Sequence, residues 1–214
     1  ICACLVGSEM CIRDSPIANH GITLVPGDCV YVDLNADGEI NSNDATRDIG
    51  YTDMPEYTAG LNTGFSWKNF DFSMQWTGAW NVDRMLDEFR RPLGDTNEKG
   101  LLLYQYDTTW RSSADTFTAK FPRTSSLHAS NNYAGSDLYL INASYLRLKS
   151  VEIGYNFNFP FMKKLKMDNC RLYVNGYNLI TITGFKWGDP ESRQSSRPNY
   201  PLTRVFNIGL KLGF

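Results

Sequence analysis

The sequence closes on Val205-Phe206-Asn207-Ile208-Gly209-Leu210-Lys211-Leu212-Gly213-Phe214. Phe206, Ile208, Leu210, Leu212 and Phe214 share one parity, and Asn207, Gly209, Lys211 and Gly213 share the other. Successive side chains of a strand point to opposite faces, so this pattern predicts a strand with one apolar and one polar side. Its length suits a tilted membrane-spanning strand of roughly 9–11 residues. A soluble sheet rarely ends on such a strand with no polar tail.

The same alternation recurs upstream. Tyr57, Ala59, Leu61, Thr63, Phe65 and Trp67 alternate with Thr58, Gly60, Asn62, Gly64 and Ser66. Phe70, Phe72, Met74 and Trp76 then alternate with Asp71, Ser73, Gln75 and Thr77. The two runs meet at Lys68-Asn69, short enough for a β-hairpin. From Tyr145 to Phe157, Leu146 and Leu148 share one parity while Val151, Ile153, Tyr155 and Phe157 share the other. One inserted residue produces such a change, so a β-bulge is predicted near Lys149-Ser150. Cys170 to Ile180 is a fifth, less regular run.

These runs define an all-β chain: about five antiparallel strands of a transmembrane β-barrel. Open strand edges in lipid leave unpaired backbone groups, so further strands are expected upstream. The connections alternate in length. Lys68-Asn69 is short and 158–169 modest, whereas 80–144 is long and 181–203 intermediate. Outer-membrane barrels have short periplasmic turns and long outer loops, which this order reproduces if Phe214 ends in the periplasm. A soluble β-sandwich or carbohydrate-binding module also carries alternating strands with Trp and Tyr.

Composition agrees with this class. The 214 residues carry 21 Lys and Arg against 23 Asp and Glu, a net charge of −2, which offers no attraction for nucleic acid. There is no run of 18 apolar residues, as a membrane-spanning helix requires. Residues 1–15, ICACLVGSEMCIRDS, hold three of the 5 cysteines and resemble translated adapter sequence, so they are expected to be a non-native tail. Residues 16–56 are then expected to form an outer loop, and 57–214 the barrel strands with their loops.

Residues 33–44 read DLNADGEINSND, which matches the calcium-loop spacing D-x-[DN]-x-[DN]-G. Asp33, Asn35 and Asp37 would supply side-chain oxygens, Glu39 its carbonyl, Asn41 a contact through water, and Asp44 the twelfth position. A structural Ca²⁺ ion is the expected cofactor. The same residues also suit a solvated turn. No catalytic residue is nominated. His20 and His128 are the only 2 histidines, and neither lies in a hydrolase or zinc motif. The chain is therefore expected not to be an enzyme. The alternatives are a secreted calcium-dependent glycan-binding module and, more weakly, a surface glycoside hydrolase. The loop aromatics Trp80, Tyr104, Tyr106, Trp110, Tyr133, Tyr139 and Trp187 are expected to pack rather than to stack on sugars. Arg90-Arg91-Pro92 is expected to be a solvated loop face.

Several segments, in order and spacing, resemble the last part of SusC/RagA-family TonB-linked outer-membrane proteins. They are GDCVYVDLNADGEINSND, YTAGLNTGFSWKNFDFSMQWTGAWN, SYLRLKSVEIGYNF, LYVNGYNLITIT, GDPE at 188–191, Tyr200-Pro201 and the closing strand. The resemblance covers about residues 27–214. It implies a plugged barrel of roughly 22 strands, uptake of glycan fragments or peptides powered through TonB, and a SusD-like lipoprotein lid. It also implies outer-membrane lipid around the strands, and a barrel-assembly machinery that reads Phe214.

Overall fold

The computed structural model describes residues 3–5, 23–46, 48–87, 89–90, 102–115, 118–157, 167, 169–192 and 202–213. The chain divides into two compact units that interleave along the sequence. The first holds Ile1–Tyr51 and Arg84–Ile141, and the second holds Thr52–Asp83 and Asn142–Gln194 with Pro198–Phe214. Strands are numbered along the chain: β1 (Ala3–Leu5), β2 (Cys29–Tyr31), β3 (Tyr57–Trp67), β4 (Phe70–Trp80), β5 (Asp83–Met85), β6 (Leu140–Asn142), β7 (Tyr145–Phe157), β8 (Asn169–Thr183) and β9 (Val205–Gly213). Two short helices, α1 (Leu103–Thr108) and α2 (Ala129–Asn132), lie between β5 and β6.

The second unit is one antiparallel sheet, ordered β3-β4-β7-β8-β9. Its register follows the parity read in the sequence. Phe72 pairs with Phe65 and with Ile153, Ile153 with Val174, and Val174 with Ile208. Directly opposed residues share a face, so these rows form a continuous apolar side across all five strands. That side is bare: Leu61 is 57% exposed, Phe206 71% and Ile208 78%. β3 and β4 meet in a two-residue turn, with Trp67 opposite Phe70 and Lys68 at φ 56°.

The bulge falls where expected. On β4, Gln75 pairs with Ser150 and Trp76 with Leu148, so Lys149 has no opposite number. The extra residue puts Leu146 and Leu148 on the same face as Val151 and Ile153, which is the parity change in the sequence. β8 departs from expectation at the same level. Leu148 pairs with Ile180 and Ser150 with Tyr177, leaving Asn178 and Leu179 facing Lys149, with Asn178 at φ 54°. Past this irregularity β8 continues to Thr183, longer than its pattern predicted.

The opposite face is polar, and side chains from neighbouring strands lie over its glycines. A Cβ on Gly209 would overlap the Tyr173 ring, which lies across it from the neighbouring strand. Gly209→Ala is therefore expected to displace that ring and to cost about 1–3 kcal/mol. The penalty should shrink in a Tyr173→Ala background. Equal penalties in both backgrounds, by denaturant titration of the refolded barrel, would show that the ring is not seated on Gly209.

The first unit is built from loops around a mixed core. Cys29, Tyr31 and Ile40 are buried, with Leu24, Ala134 and Leu138 against them. Phe89 stacks on Phe121 at 5.0 Å between ring centres, and Phe121 on Tyr139 at 6.2 Å. Gly27 lies under the Trp110 indole, which leaves no room for a Cβ there. Backbone pairing of β1 with β2 completes the unit's strands. Among the described residues no helix is long and apolar enough to cross a membrane.

Candidate functional site: the polar wall and two loop centres

The polar side of the sheet carries charged side chains that alternation alone places together. Arg171 on β8 reaches over Gly154 to Asp71 on β4. Its Nε lies 3.2 Å from Asp71 Oδ1, and its terminal nitrogen donates to Asp71 Oδ2. The same terminal nitrogen donates to Glu152 at 2.7 Å. Asn156 donates to Asp71 at 3.2 Å, Asn175 to Glu152 at 3.4 Å, and Asn207 to Asn175 at 3.0 Å. The chain of contacts crosses β4, β7, β8 and β9. A Cβ on Gly154 would overlap both the Arg171 guanidinium and the Asp71 carboxylate where they lie, so glycine leaves room for the pair to cross the strand here. Nearer the other end of the sheet Arg147 is almost wholly buried and donates to Thr181, Glu191 and Asp189.

The residues singled out at 33–44 form one loop closed by its own backbone. Asp33 accepts from Ala36 N at 2.7 Å and from Gly38 N at 2.8 Å. Asn35 accepts from Asp37 N at 2.9 Å, and Asp37 from Glu39 N at 2.8 Å. Asn41 caps the turn at Ser42–Asp44 and accepts from Asn43 N at 2.8 Å. Asp44 is buried and accepts from Leu34 N at 2.9 Å and from Asn41 N at 2.7 Å. The Asn41 amide, with those of Leu34 and Asn35, holds the Asp44 carboxyl below the usual carboxylate range despite its burial. Ala36 and Gly38 take the positive φ that the sharp turn requires. Among the described residues no three carboxylate, histidine or cysteine side chains gather about a common point. Both oxygens of Asp33 and both of Asp37 accept hydrogen bonds from within the loop, Asp37 Oδ2 from Asn35 Nδ2 at 2.9 Å, while Asp44 ties the loop inward.

A second loop centre was not anticipated. Asp28 is fully buried and collects Arg123 Nε at 2.7 Å, His128 Nδ1 at 2.7 Å, Asn132 Nδ2 at 2.9 Å and Val25 N at 3.0 Å. Asn132 and Asn131, also buried, close the arrangement on the Cys29 backbone at 3.0 and 2.9 Å. Burial pushes the Asp28 carboxyl up, but Arg123, Asn132, Val25 and His128 together bring it below the usual carboxylate range. The only local sign in the sequence is the pair Asn131-Asn132. Two buried amides can satisfy distant backbone groups, whereas their neighbours in a loop would normally be solvated.

Of the loop aromatics, Tyr104, Tyr133 and Tyr139 pack in or against the first unit's core, as does Trp110. Tyr106 is exposed, with the Arg111 guanidinium 4.0 Å above its ring. Trp80 lies at the end of β4. Arg90 is not a solvated charge: it pairs with Asp87 at 2.8 Å and donates to Tyr133 O at 3.2 Å. Its neighbours Arg91 and Pro92, and Phe214, lie outside the described residues.

An antiparallel sheet with a bare apolar face and a cross-linked polar face is a section of barrel wall, apolar outside and polar inside. No family model matches the chain. TonB-dependent receptor P3 of Formosa agariphila is 30% identical over 206 residues, covering 88% of this chain and 19% of that protein. TonB-dependent receptor SusC of Bacteroides thetaiotaomicron is 28% identical over 191 residues, covering 88% of this chain and 18% of that protein. Among solved structures, the RagAB peptide importer in its closed-closed state superposes with a TM-score of 0.63 at 22% identity, covering 88% of this chain and 21% of the other. That likeness shows the fold: the five strands are a section of a receptor barrel. The chain is homologous to TonB-dependent receptors, SusC among them, and spans about a fifth of the length of the curated relatives it matches.

Proposed function

We propose that this chain is a section of the barrel wall of an outer-membrane transporter that imports glycan fragments or peptides. The observation that carries this reading is the bare apolar face running unbroken across five strands. A face of that kind is stable against lipid and costly against water. The peptide importer among the structural neighbours supports peptides as one substrate class, and the SusC relative supports the family's transport role. In this reading TonB drives uptake through parts of the receptor beyond this chain, a SusD-like lipoprotein covers the outer face, and no chemistry is done on the cargo. The strands lie in outer-membrane lipid, and residues 16–56 form an outer loop. Phe214 serves the assembly machinery, so its deletion should lower the amount of assembled receptor.

The test is extraction of the whole receptor from its host's envelope. The receptor should stay in the membrane pellet through alkaline carbonate and leave it only with detergent. Release by carbonate alone would point instead to a secreted binding module.

A structural calcium ion in the 33–44 loop is part of the same proposal, supported by the spacing of its Asp and Asn residues and by the positive φ of Gly38 at the sharp turn. Added Ca²⁺ should raise hydrogen-exchange protection of residues 33–44, at an affinity near the weak extracellular end, about 0.1–1 mM. Asp33→Ala should abolish the response. If protection is the same with calcium and with chelator, Asp44 closes the loop without a metal.

A further inference from the structure

The geometry points to residues 184–192, between β8 and β9, acting as an ion-latched strap folded onto the barrel's inner wall. This rests on the reading of the polar face as the inside. Arg147 pairs across the sheet with Thr77 and Thr181, so its side chain belongs to that face. It would be an expensive residue there on its own, because a buried guanidinium needs compensating charge. The compensation comes from the loop. Asp189 Oδ1 lies 2.6 Å from one terminal nitrogen of Arg147 and Glu191 Oε2 lies 2.7 Å from the other. Thr181 Oγ1 takes the Nε–H at 3.1 Å, so all three nitrogens are engaged. Lys149, the bulged residue of β7, adds a contact to Glu191 at 3.3 Å.

The latch is built on both sides. Asp189 also accepts from Glu191 N at 2.9 Å, which sets the two carboxylates side by side. Gly188 adopts φ 142°, a conformation that other residues rarely take, and so turns the loop just before Asp189. Phe185 is buried at the loop's start, where its amide donates to Thr183 Oγ1 at 3.0 Å. The two ends of the segment are thus anchored separately, Phe185 by packing and Asp189 with Glu191 by charge. Between strap and wall is a polar cavity of about 190 Å³, lined by Arg147, Asn178, Thr181, Thr183, Asp189 and Arg204 among others. The paired charges nearly cancel, two carboxylates against Arg147 and Lys149. Released, it would uncover the cavity and the inner wall around Arg147.

The strap carries its own reporter, because Lys186 is an exposed trypsin site within it. Whole receptor in outer-membrane vesicles would be digested with trypsin, and cleavage after Lys186 followed by mass spectrometry. Two variants release the latch from opposite sides: Arg147→Met, and Asp189→Asn combined with Glu191→Gln. Both should speed cleavage by about tenfold or more, since local opening governs proteolysis of folded chains. Retention of folded-barrel migration on unheated gels separates release of the strap from loss of the barrel, and carbonate extraction tests the barrel reading itself. The second variant leaves the wall untouched, so it remains informative if Arg147→Met does not assemble. Wild-type cleavage rates in the assembled variants would overturn the proposal. So would acceleration by Arg147→Met alone, because Arg147 would then be packing the wall rather than holding the strap.

Discussion

Val174→Arg lowers the stability of the assembled receptor barrel by about 2–4 kcal/mol, the cost of an arginine facing lipid near the bilayer midplane. Val174 lies between Ile153 and Ile208 on the bare face, near the middle of β8, and is 44% exposed. Its neighbour Asn175 lies between Glu152 and Asn207 on the polar face. Asn175→Arg should therefore cost less than about 1 kcal/mol, in keeping with the tolerance of lumen positions. The measurement is a urea titration of the receptor refolded into lipid vesicles. The contrast between two adjacent residues is the informative quantity. On a soluble sheet Val174 would face water, and arginine there would be neutral or favourable. Equal, small effects at both positions would remove the lipid from the argument.

Asp28→Ala should disrupt the first unit by about 3–5 kcal/mol, the usual result of removing one partner from a buried charged cluster. Arg123 can turn toward water, but Asn132 is fully buried and would be left facing an empty site. Loss of that order raises amide exchange by about a hundredfold or more where the protected groups depend on it. The amides to follow are Cys29, which donates to Asn132, and Arg123, which donates to Gly27 O. The same group sets a pH dependence. The Asp28 carboxyl is held below its ordinary value in the folded unit. Its contribution is therefore complete above the unfolded value of about 3.9 and is lost as pH falls through the lower folded value. Protection of Cys29 should hold from neutral pH down to about pH 4 and fall below it. Protection already lost near pH 6 would show that the Asp28 carboxyl does not govern it.

These two residues also mark what the sequence made legible. Val174 could be placed on a face because alternation is a local property, carried by residues two apart. The same holds for the bulge, since one unpaired residue must invert parity on either side of Lys149. Asp28 offered no such handle. Its partners Arg123, His128 and Asn132 lie about a hundred positions away, and nothing local separates a buried aspartate from a solvated one. Arg147 is an intermediate case. It stands between Leu146 and Leu148 in the alternation, and GDPE is visible as a motif, but only the fold brings the two together. The irregularity at Asn178–Leu179 was missed for a different reason. In Gly176-Tyr177-Asn178-Leu179-Ile180 an apolar residue follows at each spacing, so two registers fit the pattern equally well. Within the 33–44 loop, spacing identified the turn, and the structure adds the buried role of Asp44.

The long connection from β4 to β7 ends in a narrow neck. Ala143 N donates to Val82 O at 2.8 Å, and a few residues along Leu86 N donates to Tyr139 O at 2.9 Å. Once this neck is zipped, the chain between positions 86 and 139 is a closed loop. The entropy of closing a loop grows slowly, by about 0.6 kcal/mol for each doubling of its length. A neck of this kind therefore lets the enclosed segment lengthen, shorten or be exchanged at little cost to strand pairing. Over evolutionary time the wall and the loop are free to change at different rates. A lineage could remodel the loop while inheriting an unaltered wall.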